Sequence, residues 1–158
     1  MSISETLRKI KEQRPLVHHI TNWVTIYDCA NIVRAIGALP VMAHAIEEVE
    51  QMTSISSALV LNIGTLTVDL VESMILAGKK ANERNIPVIL DAVGAGATDL
   101  RTNKAIEILE KVKISVLKGN SSEIGIIAGT EAETKGVEAI SVKGNLVEIS
   151  KKLASERN

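Results

Sequence analysis

Phenylalanine is absent from this sequence, and tryptophan, tyrosine and cysteine occur once each. A single cysteine, Cys29, excludes an internal disulfide framework and a CxxC metal or redox site. Few aromatics and a formal net charge of −1 exclude the basic, aromatic-studded surface that nucleic-acid binding needs. No apolar run reaches the roughly 18 residues needed to cross a bilayer. The N-terminus, MSISETLRKIKEQRP, is charged and has no apolar signal-peptide segment. What is present is aliphatic. Hydrophobic residues make up 46% of 158 positions, enough for one core at a length typical of one domain. The composition points to a soluble, cytoplasmic protein without nucleic-acid or membrane partners.

Hydrophobic spacing predicts the elements. Residues 4–13 form an amphipathic helix with Leu7 and Ile10 on one face, ended by Pro15. PLVHHITN is extended or loop. Residues 22–36 are apolar on nearly all sides, which predicts a buried helix closed by Gly37. LPVM is strand-like, and residues 46–52 form a charged helical turn or two. Residues 58–64, 87–90 and 114–117 are strands apolar on both faces. Helices are predicted over 67–82, 102–111 and 121–128, then a polar loop over 130–145 and a last helix over 146–155.

Two-sided apolar strands alternating with helices predict an α/β fold, a doubly wound, mostly parallel sheet covered by helices on both faces. Residues 1–158 are read as one domain. The last helix, SKKLASERN, has no strand after it to receive it, so the domain is expected to be incomplete at its C-terminus. Such sheets bind ligands at the carboxyl ends of their strands. Those ends are Asn62-Ile63-Gly64, Asp91-Ala92-Val93-Gly94 and Lys118-Gly119-Asn120.

The segment VILDAVGAG runs an aliphatic strand into Asp91 and a glycine turn, with no Lys-Ser or Lys-Thr to make it a P-loop. An acid there holds a metal through water, acts as a base, or turns the chain locally. Gly94 and Gly96 are either an anion cradle or an ordinary tight turn. Asn120-Ser121-Ser122-Glu123 has the pattern of a capping box, with Asn as the cap. In that role Gln is expected to replace Glu123 without loss. Placed near Asp91, Glu123 instead completes a pair of carboxylates suited to a hydrated magnesium ion, with Lys118 available to phosphate. His18 and His19 are adjacent and read as loop residues, Cys29 as a small buried hydrophobe, and Met42 as core or pocket wall.

PLVHHITNWV, GALPVMAHAIEEVEQM, LVLNIGTL, PVILDAVGAGATDLRT and LKGNSSEIGIIAG, in this order, resemble the hydroxyethylthiazole kinase family of the ribokinase-like superfamily. The resemblance runs from about residue 14 to residue 130. It implies ATP-dependent phosphorylation of 4-methyl-5-(2-hydroxyethyl)thiazole at its primary alcohol, in thiamine salvage. It also implies that Asn22 and Met42 help form the thiazole pocket, that Asp91 and Glu123 organise Mg2+, and that Lys118 meets ATP phosphate. A homotrimer with sites at subunit boundaries is implied too. Two departures stand inside the match: the family often has Asp-Pro-Val where this chain has Asp91-Ala92-Val93, and often Arg where it has Lys118. Lysine keeps the charge and loses the bidentate fork.

By the same resemblance, family members continue well past this end, into a Thr-Gly-Glu strand end and a glycine-rich anion hole. The residue facing the substrate hydroxyl is expected there, beyond Asn158, so residues 1–158 alone are not expected to turn over. Two other readings fit the residues: a related ribokinase-like kinase of another small alcohol, and a truncated, non-catalytic assembly module.

Overall fold

The computed structural model describes residues 2–156. Helix α1 (Ile3–Gln13) starts at Ser2, whose hydroxyl accepts from Glu5 N–H while the Glu5 carboxylate answers the Ser2 N–H, a reciprocal cap. Then follow β1 (Leu16–Ile20), α2 (Ile26–Ala35), β2 (Leu39–Val41), α3 (Val49–Ser54) and β3 (Ala58–Asn62). Next come α4 (Val68–Glu83), β4 (Val88–Asp91), α5 (Asp99–Lys111), β5 (Val116–Lys118) and α6 (Ser121–Ile127). Strands β6 (Ala132–Lys135) and β7 (Glu138–Val142) and helix α7 (Leu146–Glu156) follow.

Five strands form one parallel sheet in the order β2-β1-β3-β4-β5, flanked by helices, as the aliphatic runs predict. The chain steps one way from β1 to β2 and the other way from β3 through β5. With right-handed crossovers, that reversal puts α2 on one face and α4 and α5 on the other. It also puts the topological switch point between β1 and β3, where the carboxyl ends open into a crevice.

The two faces are covered unequally. Register aligns Leu59 with Val88 and Leu61 with Leu90, and all four are fully buried. Val71, Met74, Ala77 and Ala81 of α4 complete that core. The alternate residues Val60, Asn62, Ile89 and Asp91 face the other way and are half-buried. Among the described residues, no helix is long and apolar enough to cross a membrane.

Four expectations need correction. The 22–36 segment is helical only from Ile26, and it is a surface helix. Val33 is its buried residue, while Val24, Tyr27 and Ile32 are exposed. Its apolar pattern is real, but among the described residues α2 packs chiefly on β2 and nothing covers its outer side. Cys29 on that helix is accordingly only partly buried. Residues 130–145 hold a β6–β7 hairpin closed by the two residues 136 and 137. The hairpin survives without apolar alternation because it is tied to α6, by Asn120 Nδ2 donating to Val137 O and Ser122 Oγ donating to Ser141 O. His18 and His19 lie on β1 and are buried, because β1 is an inner strand of the sheet.

Candidate active site at the carboxyl ends of the strands

Four neighbouring strands each carry a polar residue at or just past their carboxyl ends, and these residues form one hydrogen-bonded row. Lys118, at the end of β5, donates Nζ–H to Asp91 Oδ2 at 3.0 Å. Asn62, at the end of β3, donates Nδ2–H to the same oxygen at 2.9 Å. Asn22, just past β1, donates Nδ2–H to Asn62 Oδ1 at 2.9 Å. Parallel register brings them level: Asn62 pairs with Asp91, and Asp91 with Lys118. The row thus crosses the switch point, from the Asn22 side to the Asp91 side.

Asn22 is held by its own loop. Its Oδ1 accepts from Val24 N–H and Thr25 N–H, both at 3.0 Å, and from the Thr25 hydroxyl. Met42 follows β2 and is partly buried, and its carbonyl accepts from His44 Nδ1 at 2.8 Å. That bond leaves His44 Nε2 as the acceptor for Thr21 N–H. The His44 ring lies 4.8 Å from the Trp23 ring, and both line an open cleft of about 360 Å³ with Thr67, Asp69 and Ser73. A larger cleft, about 520 Å³, runs along the free edge of β5 and includes Lys118 and Gly119.

Asp91 and Glu123 are both brought to this end. Asp91 Oδ1 is buried and has no hydrogen-bond partner, whereas Oδ2 has two. Glu123 is 4% exposed, and each of its oxygens accepts a backbone N–H: Oε1 from Gly94 at 2.7 Å and Oε2 from Asn120 at 2.6 Å. The capping box is therefore formed, and the same carboxylate also closes the turn after β4. Gly94 has φ 78°, which a side chain rarely adopts. The glycine turn makes no anion cradle here, because Gly94 N–H is taken by Glu123 and Gly96 N–H by Thr102 Oγ1.

The donor set bears on a metal. Among the described residues, no group of three or more His, Cys, Asp and Glu side chains is placed to hold an ion. Magnesium does not require one, since it keeps several waters and takes one or two carboxylates. The orphaned Asp91 Oδ1 is an acceptor suited to such a hydrated ion. Lys118, 67% exposed, holds the neighbouring oxygen and is long enough to leave it for a phosphate.

The residue types alone did not assign Asn62 or Arg101 a role. Arg101 Nη1 donates to Ile63 O and Val93 O at 3.1 Å, and Nη2 to Gly64 O at 2.9 Å. It clamps the loop after β3 to the turn after β4. The signal for it was a cation in the first turn of α5, where the helix dipole disfavours positive charge. The signal for Asn62 was a polar residue ending an aliphatic run, the same that marks Asp91.

The histidines of β1 do other work. His18 Nε2 donates to Ala43 O at 2.8 Å and Nδ1 accepts from the Thr53 hydroxyl at 2.9 Å. Burial lowers its pKa, opposed by the Ala43 bond. Burial, with His18 beside it, pushes His19 down to about 4. Both are neutral at pH 7, which suits a structural role.

The family model for the hydroxyethylthiazole kinase family matches residues 7–158. The hydroxyethylthiazole kinase of Methanosarcina acetivorans is 59% identical over 152 residues, covering 96% of this chain and 58% of that protein. That of Thermoanaerobacter pseudethanolicus is 61% identical over 154 residues, covering 98% and 58%. The solved hydroxyethylthiazole kinase protein from Pyrococcus horikoshii OT3 is 50% identical, with a TM-score of 0.76 over 79% of this chain and 49% of that one. The chain thus spans somewhat more than half the length of these curated relatives. A match over nearly the whole chain, on a parallel sheet whose carboxyl ends carry the polar row, places this chain in the hydroxyethylthiazole kinase family.

Proposed function

We propose that the protein containing these residues transfers the γ-phosphoryl group of ATP to the primary alcohol of 4-methyl-5-(2-hydroxyethyl)thiazole. The alcohol oxygen forms the new bond to phosphorus, the bond to ADP breaks, and the hydroxyl proton leaves. Residues 1–158 are proposed to belong to a single α/β domain of a cytoplasmic homotrimer. Asn22 and Met42 take the thiazole side, Lys118 meets ATP phosphate, and Asp91 and Glu123 take the magnesium side. Magnesium, when bound, neutralises charge on the phosphates. Glu123 acts there mainly by fixing the Gly94 turn beside Asp91, since both its oxygens already hold backbone N–H groups.

The observation that supports this reading is the row from Asn22 to Lys118, which joins the residues proposed for the two reactants across the switch point. The test is a titration of the isotopically labelled whole polypeptide with hydroxyethylthiazole, followed by NMR. Saturable shifts of the Asn22 side-chain amide and the Met42 methyl support the pocket. A folded protein in which neither group responds, while a different region does, contradicts it.

A further inference from the structure

Asn62 sits at the centre of the row, and its amide cannot be turned around. Its Oδ1 accepts from Gly64 N–H at 2.9 Å, and a backbone N–H is met only by an acceptor. Oδ1 also accepts from Asn22, so Nδ2 is left to face Asp91. Asn22 is pinned in the same way, because its Oδ1 receives two backbone N–H groups and its Nδ2 must point to Asn62. Every donor in this half of the row therefore points the same way, from Asn22 through Asn62 to Asp91. The loop is shaped to permit it. A Cβ on Gly64 would lie 3.0 Å from Asn62 Oδ1 and 3.1 Å from Asn22 Cβ, so only glycine lets the loop close over the pair without a shift. Arg101 holds the other side of that glycine through its carbonyl.

We propose that Asn62 is a positioning residue that couples the two halves of the site: whatever binds Asp91 is felt at Asn22 through the Asn62 amide. This rests on the function proposed above, and it adds a residue that touches neither reactant. A cation at Asp91 draws on the carboxylate that Asn62 holds. Linked hydrogen bonds polarise one another in a poorly solvated site. The response then appears in the Asn22 amide, on the side assigned to the thiazole. A purely structural Asn62 would support the loop without conveying anything.

The experiment titrates the labelled whole polypeptide with magnesium chloride and follows two NMR signals, the Ala92 backbone amide next to Asp91 and the Asn22 side-chain amide. In the unaltered protein both are expected to move along one saturation curve. In Asn62→Ala, and in the similarly sized Asn62→Leu, the Ala92 signal is expected to move as before and the Asn22 signal to stay fixed. A well-dispersed spectrum for the β3 and β4 amides certifies folding. An Asn22 response of equal size in a folded Asn62 variant overturns the coupling and leaves the site reading intact. So does a moving Ala92 with a motionless Asn22 in the unaltered protein, an outcome that needs no variant. If Ala92 does not respond to magnesium at all, the metal-side role of Asp91 fails, and the coupling falls with it.

Discussion

Glu123 closes the turn at Gly94 from 29 residues away, accepting its N–H at 2.7 Å, while its second oxygen caps the helix that Glu123 itself belongs to. One buried carboxylate thereby fixes the β4 turn to the start of α6. This changes what Glu123→Gln does. Glutamine has one acceptor oxygen and would present its NH2 to the other backbone N–H. A buried donor left unmet costs about 1–3 kcal/mol. Urea denaturation is expected to show that loss, contrary to the reading in which Gln serves equally well at a cap. An unchanged midpoint and slope contradict it.

Asp91→Asn is expected to leave the fold in place. The substituted side chain can still accept from Asn62, and its partner Lys118 is mostly exposed. In the whole polypeptide, turnover is expected to fall about 10²–10³-fold, the scale for removing one electrostatic stabiliser. Steady-state kinetics at saturating magnesium check this, and near-normal kcat contradicts it.

Arg101→Lys tests the clamp. Lysine cannot reach three carbonyls with a planar fork. The carbonyls of Ile63, Gly64 and Val93 would lose a charged donor, and each such bond is worth about 1.5–3 kcal/mol. Some water replaces it, so the expected loss is about 3 kcal/mol in all. Faster hydrogen exchange confined to the loops after β3 and β4 is the accompanying signature. Global loosening without that pattern contradicts the clamp.

The β1 histidines predict a pH dependence. His19 is held at about 4 in the fold, below its ordinary 6.5, and His18 is lowered too. Between those values the unfolded chain binds more protons than the folded one, so stability falls as pH falls. It is full above pH 6.5 and declines down to about pH 4, by on the order of 3 kcal/mol from His19. Glu107, held down to about 2 by hydrogen bonds from Lys104 and Lys111, adds its own loss only below its ordinary 4.5. Denaturation at pH 7, 5.5 and 4.5 measures the upper window. Because neither His19 ring nitrogen has a partner, His19→Leu is expected to keep stability at pH 7 and flatten the dependence. A steeper curve contradicts it.

The sheet was legible because Leu59, Leu61, Val88 and Leu90 recur in short aliphatic runs, and Asp91 was legible because a charge at the end of such a run is conspicuous. Glu123 was legible as a cap, a local pattern. Its bond to Gly94 was not, since contacts between residues far apart in the chain leave no spacing to read. Asn62 shows the same limit: its place at a strand end was legible, but its bonds to Asn22 and Asp91 were not, since they come from the register of neighbouring strands. The outer side of α2 misled for a related reason. Tyr27 and Ile32 have the pattern of a buried helix, but burial depends on what else is folded against them. The β6–β7 hairpin was hidden because it is held by side-chain bonds from α6, which alternation does not encode.

If this row of strand ends serves phosphoryl transfer to a thiazole alcohol, the product itself is the decisive readout. The whole polypeptide is incubated with ATP, magnesium and hydroxyethylthiazole, and phosphorus NMR follows the phosphate. A new phosphate monoester on the thiazole side chain is expected, formed in step with ADP and suppressed in Asp91→Asn. A folded protein that releases ADP with another small alcohol but not with hydroxyethylthiazole, or that phosphorylates the thiazole equally well without the Asp91 carboxylate, contradicts it.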